Sequence, residues 1–141
     1  MITYIDTSVV VKLLVDDEVG GDAAERLWLE SNYVVCAELG YAEARAALAA
    51  VHRSARLTRR SYVTARAQLE ALWAQVDVVV VTTALIRSGG DLAERERLRG
   101  YDAVHLAAAI ASGAAVFASA DDRLLAAARR QRLATSNPTG P

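Results

Sequence analysis

Apolar and polar positions along the chain alternate between two kinds of run. Met1–Ile5, Tyr33–Cys36, Val76–Val81, Val116–Ala118 and Leu133–Ser136 are short apolar or β-branched stretches, and they predict strands. Longer segments with helical spacing separate them. They predict helices over Val9–Val15, Asp22–Leu29, Glu38–His52, from a Thr58 cap to Ala74, then over Thr83–Arg97, Asp102–Ser112 and Asp121–Arg130. Thr7 and Ser8 are the expected cap of the first helix. Gly89 and Gly90 fall inside the predicted Thr83–Arg97 helix, where glycine lowers stability, and suggest a kink or local break.

Strands alternating with helices predict an α/β fold: a three-layer α/β/α sandwich around a mostly parallel central sheet of four to five short strands. One unit is expected over residues 1–136, with a loose tail over 137–141. In such sheets ligands bind beyond the carboxyl ends of the strands. That rule directs attention to Asp6, which ends the first predicted strand, and to Ser119–Asp121, which follow the fourth.

Composition changes this picture in three places. The chain has 141 residues and is 53% hydrophobic, much of it helix-supporting alanine, which excludes a disordered chain. Ala103–Ala120 carries no formal charge and approaches the length of a membrane span. Polar His105, Ser112 and Ser119 interrupt it, however, and Asp102 and Asp121 bracket it, so a buried helix stopped at Gly113 and then a strand is expected. No membrane partner is expected. No leader pattern builds before Asp6, and the single cysteine, Cys36, precludes an intrachain disulfide, so a reducing, cytoplasmic setting is the expectation.

The net charge of −1 announces no polyanion, but its distribution is uneven. Asp6–Glu30 is mostly acidic, opposed only by Lys12 and Arg26. No acid lies between Glu43 and Glu70, where Arg45, Arg53, Arg56, Arg59, Arg60 and Arg66 fall. An acidic pole beside a basic arm suits a phosphodiesterase that uses metal. Arg45, Arg53, Arg87 and Arg123 are the candidate contacts to substrate phosphates. Tyr41, Tyr62 and Trp73 are read as packing residues.

Four acids stand out. Asp6, Asp102 and Asp121 open predicted helices, where capping competes with a catalytic role. Glu43 lies on the face that Leu39, Ala42, Ala46, Ala47 and Ala50 share by helical spacing, and an acid on an apolar stripe needs a partner. That partner is either an arginine or a cation shared with other carboxylates. His105 stands three residues after Asp102 and is expected to hydrogen-bond it or to pack on the sheet. An all-oxygen set favours Mg²⁺ or Mn²⁺ over zinc. Hydrolysis of an anionic phosphodiester requires such an ion, because the phosphate repels hydroxide.

At these residues the chain resembles the PIN-domain nucleases, specifically the VapC-type toxins of toxin–antitoxin pairs. The resemblance rests on Tyr4-Ile5-Asp6-Thr7-Ser8, on Tyr41-Ala42-Glu43-Ala44-Arg45-Ala46-Ala47-Leu48, on Tyr101-Asp102-Ala103-Val104-His105-Leu106 with Ala107-Ala108-Ala109, and on Ser119-Ala120-Asp121-Asp122-Arg123-Leu124. It implies that Asp6, Glu43, Asp102 and Asp121 are the metal-site acids of an Mg²⁺- or Mn²⁺-dependent endoribonuclease. Thr7, Ser8 and Ser119 would order the site by hydrogen bonds, and Asp122 is the alternative fourth acid. The resemblance also implies homodimers, higher toxin–antitoxin assemblies, and inhibition by a cognate antitoxin. The early helices, with Leu14, Leu27 and Trp28, are a candidate contact surface for that antitoxin, with core packing the preferred reading of Leu14 and Leu27.

Rival chemistries fit less well. A phosphotransfer domain with Asp6 as nucleophile wants a second aspartate at the position of Ser8, and a receiver domain wants a late lysine where this chain has only Lys12. A catalytically silent PIN-like module that binds RNA or antitoxin is the alternative from a different functional class.

Overall fold

The computed structural model describes residues 1–140. Strand β1 (Ile2–Ile5) leads into helices α1 (Thr7–Leu14) and α2 (Gly21–Glu30), then β2 (Tyr33–Ala37). Helices α3 (Leu39–Arg53) and α4 (Arg59–Trp73) precede β3 (Asp77–Val79). Helices α5 (Thr83–Glu96) and α6 (Gly100–Ala111) precede β4 (Val116–Ala118), and α7 (Asp122–Arg130) precedes β5 (Ala134–Ser136). No helix among the described residues is long and apolar enough to cross a membrane.

The five strands pair in the order β3-β2-β1-β4-β5, and every pairing is parallel, where a mostly parallel sheet was expected. Crossover handedness and strand order then fix the layers. Crossovers between parallel strands are right-handed, so the direction of travel across the sheet decides which face receives the helices. The chain moves from β1 through β2 to β3, then reverses across the sheet to β4 and β5. Helices α1–α4 therefore cover one face and α5–α7 the other.

Two cores follow from the alternation of side chains along each strand. Tyr4, Val35, Ala37 and Phe117 point toward α5, α6 and α7. Ile5, Val34, Cys36 and Ala118 point toward α1–α4. The Val76–Val81 run is not the buried strand its composition predicts. Only Asp77–Val79 pairs, on the edge beside β2, with Asp77 and Val78 exposed.

Gly89 explains the unbroken α5. A methyl group built there would stand 2.9 Å from Val104 Cγ2 and 3.3 Å from its Cα, so the glycine lets α5 lie directly on α6. The expected kink is absent because backbone contact between helices, not a bend, is what the glycine serves. Of the tail expected to be loose over 137–141, residues 137–140 include a turn in which Pro138 is buried and Asn137 Nδ2 donates to Asp122 Oδ1 at 3.0 Å, and Pro141 lies outside the described residues.

Candidate active site

The sheet order places a topological switch point between β1 and β4, whose connections leave in opposite directions. Ile5 lies opposite Ala118 in register, and Asp6 N–H donates to Ala118 O at 3.1 Å. Asp6 and the Ser119–Asp121 turn therefore emerge side by side at the carboxyl ends of adjacent strands.

Asp6 itself caps α1, in place of the expected Thr7 and Ser8. Its Oδ1 accepts from Val9 N–H at 3.3 Å and from Ser8 Oγ at 2.5 Å, while Ser8 Oγ accepts from Ala120 N–H at 3.0 Å. An N-cap oxygen replaces one missing backbone partner in the first helical turn, so capping and site membership coincide in one carboxylate. The side chain is only 6% exposed. Burial raises the Asp6 carboxyl above its ordinary value, against the lowering effect of hydrogen bonds from Ser119 and Ser8.

Asp121 caps α7 in the same way, accepting from Arg123 N–H at 2.9 Å and Leu124 N–H at 3.3 Å. Buried Ser119 accepts from Asp121 N–H at 3.0 Å and so shapes the turn. Asp102 lies in the first turn of α6, half-buried, with Arg99 Nε 3.7 Å from its Oδ2. Burial first, and the negative charge of Asp121 second, raise the Asp102 carboxyl. Asp122 points elsewhere: it is exposed and holds Asn137. Of the two candidate fourth acids, Asp121 is the one whose field acts on Asp102.

Glu43 reaches the cluster from α3, but not from the face its alanines suggested. The buried stripe of α3 is Gly40, Ala44, Leu48 and Val51, whereas Ala42, Ala46 and Ala50 are exposed. Glu43 sits at the edge of the stripe with Leu39 and Ala47. Thr7 Oγ1 donates to Glu43 Oε1 at 2.9 Å, and His105 Nε2 lies 2.6 Å from the same oxygen. Burial acts to raise this carboxyl, but the hydrogen bond and field of His105, with Thr7, outweigh it and leave it below its ordinary value. His105 thus partners Glu43, and not Asp102.

The candidate phosphate contacts divide. Arg45 Nη1 donates to Tyr41 Oη at 2.8 Å, and its guanidinium stands 5.7 Å from that ring's centroid. Arg123 Nη2 donates to Arg97 O at 3.1 Å, tying α7 to the end of α5. Arg53 is exposed at the far end of α3, about 15 Å along the helix from Glu43 at 1.5 Å per residue. Arg87 is exposed on α5. Sequence reasoning missed Arg99, which is 89% exposed at the mouth of the site, and Tyr4, whose link to His105 is described below. Arg99 was hidden because the helix was expected to open only at Asp102, whereas α6 begins at Gly100 and puts Arg99 at its N-cap.

Among the described residues, no three His, Cys, Asp or Glu side chains stand close enough together to enclose an ion. Such spacing still fits a hard cation. Mg²⁺ dehydrates reluctantly, keeps several waters, and is held through one or two carboxylates plus substrate phosphate. The donors are all oxygens, and burial disfavours the charged forms of Asp6 and Asp102, a cost that a bound cation would offset.

Comparison with known proteins agrees with this fold. Residues 3–130 match the PIN domain family. The chain is 40% identical over 112 residues to Ribonuclease VapC45 of Mycobacterium tuberculosis, covering 79% of this chain and 77% of the relative. Its fold superposes on VapC20 of Mycobacterium tuberculosis, a sarcin–ricin loop cleaving toxin, with TM-score 0.69 and 23% identity, over 89% of this chain and 94% of that one. A toxin–antitoxin complex from Klebsiella pneumoniae contains a chain that aligns at TM-score 0.66 and 11% identity, over 88% and 90% of the two chains.

Proposed function

The chain belongs to the PIN domain family, and from that premise we propose that it is an endoribonuclease toxin, restrained by a cognate antitoxin. The relative's name, a VapC ribonuclease, supports RNA as substrate and the toxin–antitoxin setting. Mg²⁺ or Mn²⁺ is the proposed cofactor, with Asp6, Glu43, Asp102 and Asp121 as its holders. A soluble, cytoplasmic homodimer is the proposed form.

One observation supports the chemistry: Asp6, Asp121 and Asp102 stand at the starts of α1, α7 and α6 and Glu43 on α3, around the carboxyl ends of β1 and β4, and burial raises the carboxyls of Asp6 and Asp102. Carboxylates so arranged lower stability unless a cation is part of the site. When bound, the ion neutralises phosphate charge and lowers the pKa of the attacking water. The chain's own residues do the rest. Ser8 and Ser119 hold Asp6, the α7 cap holds Asp121, and Thr7 and His105 hold Glu43, so these three acids are oriented before substrate arrives.

The antitoxin has a candidate seat in a groove of about 480 Å³ lined by Lys12, Leu13, Trp28 and Leu72, with acidic Asp22 and Glu25 on its rim. Leu14 at its edge is a core residue.

The test is cleavage of total cellular RNA by antitoxin-free protein with Mg²⁺, Mn²⁺ or EDTA, beside Asp6→Asn. Discrete fragments that need the ion and vanish in the variant support the reading, and their ends identify the target. No cleavage by folded, Mn²⁺-loaded protein on any RNA offered favours the silent binding module instead.

A further inference from the structure

Tyr4 is fully buried and His105 is 2% exposed, and neither belongs to the acid set. Ala37 N–H donates to Tyr4 Oη at 2.9 Å, and Tyr4 Oη lies 2.6 Å from His105 Nδ1. The far nitrogen of the same ring, Nε2, lies 2.6 Å from Glu43 Oε1. Hydrogen-bond capacity then orders the whole series. Tyr4 Oη accepts from Ala37 N–H and keeps its own proton free for Nδ1, which accepts it when the ring's proton is on the other nitrogen. An ionised Glu43 can only accept, so the ring's proton sits on Nε2 and points at Oε1.

Three further features hold this series in register. Tyr4 stacks on Phe117 at 5.3 Å between centroids and meets the His105 ring edge-on at 5.8 Å. Gly40 lets α3 press on β2: a methyl group there would stand 2.6 Å from Cys36 Sγ and 3.7 Å from His105 Cε1. Glu43 follows Gly40 by three residues, so this close approach delivers its carboxylate to the imidazole. Thr7 donates to the same Oε1, and among the described residues no hydrogen bond goes to Oε2. No buried side-chain polar atom is left unpaired among the described residues, and a fully paired polar series in an apolar core rigidifies the groups it joins.

We infer that Ala37 N–H, Tyr4 and His105 form a buried positioning relay that fixes the His105 tautomer and locks Glu43 Oε1, leaving Oε2 as the oxygen offered to the ion. The inference rests on Glu43 being one of the metal-holding acids. Tyr4 and His105 are positioning residues; neither touches substrate.

The relay is tested on the antitoxin-free full chain with Mn²⁺ as probe, by isothermal titration calorimetry, with melts confirming that each variant is folded. His105→Asn keeps an acceptor for Tyr4 but does not reach Glu43, and it weakens Mn²⁺ binding about 10-fold or more. His105→Gln carries an N–H out to Glu43 and stays within about 3-fold of wild type, against the loss expected when such support is removed. A purely structural histidine would show the opposite order or none. Independently of any variant, a long-range ¹H–¹⁵N spectrum of wild type shows the proton on Nε2 and none on Nδ1. Equal Mn²⁺ affinity in wild type and His105→Asn, or a proton on Nδ1, overturns the relay while the metal site stands. A wild type that binds no Mn²⁺ overturns both.

Discussion

Asp6→Asn separates what this carboxylate does for the fold from what it does for the site. Asparagine caps helices as well as aspartate does, so the bond from Val9 N–H survives the change. What disappears is a negative charge that is 6% exposed and whose carboxyl burial has raised. Removing such a charge without ion present stabilises the protein by about 1–2 kcal/mol, the usual gain when a site's strain is relieved. For a chain of this length, 1 kcal/mol moves Tm by roughly 3–5 °C, so the variant melts roughly 3–10 °C above wild type in EDTA. Mn²⁺ at 100 times its Kd adds about 2.7 kcal/mol to any protein that binds it in the folded state alone. Wild type takes that gain and the variant does not, so the order of the two melting points reverses. Thermal denaturation in EDTA and in Mn²⁺ reads both effects. A variant that melts at or below wild type in EDTA, or Mn²⁺ raising both proteins equally, would refute the reasoning.

Three other outcomes follow from the same geometry. The raised Asp6 carboxyl contributes stability that is fully present below its unfolded value and is lost as pH rises through its folded value. The Tm difference between Asp6→Asn and wild type in EDTA therefore shrinks as pH falls through the folded value; a constant difference across that range would count against it. Gly89→Ala and Gly90→Ala should have opposite signs, because the first meets Val104 at 2.9 Å and the second meets nothing within 4 Å. Denaturant titration should show the first destabilised by about 1 kcal/mol, after helix propensity is credited against overpacking, and the second stabilised by about 0.5–1 kcal/mol. Arg99 sits at the N-cap of α6 and makes no capping bond, so Arg99→Ser should stabilise by about 1 kcal/mol in a melt; a lower Tm would mean the contact to Asp102 carries more than an exposed pair normally does.

Much of this was readable in the sequence because it is local. Asp6 and Asp121 each end a short apolar run and begin a helix, and Thr58 caps α4 where the pattern placed it. Alanine defeated the same logic in α3. Its small side chain is at home on either face, so Ala42, Ala46 and Ala50 suggested a buried stripe that actually runs through Gly40, Ala44, Leu48 and Val51. The partner of Glu43 was unreadable for a different reason: His105 stands 62 residues away, and only the reversal of the chain across the sheet brings α6 over to α3. Arg123 looked like a phosphate contact because exposure and charge are all a sequence shows. Its bond to the Arg97 carbonyl depends on the packing of α7 against the end of α5.

The four acids are not supported alike, and the difference explains the unusual neighbours of Glu43. Asp6 and Asp121 are N-caps, and Asp102 lies in the first turn of α6, so each faces the positive end of a helix dipole. That placement is worth roughly 0.3–1 kcal/mol per carboxylate and decays within the first turn. Glu43 is already beyond the first turn of α3, where the dipole gives it nothing. Its charge is instead supported by two side-chain donors on one oxygen, Thr7 from the adjacent α1 and His105 from the opposite layer of the sandwich. Three acids of the cluster draw support from backbone that any helix supplies. The fourth requires an imidazole with its proton on one particular nitrogen, and a buried tyrosine to hold it there.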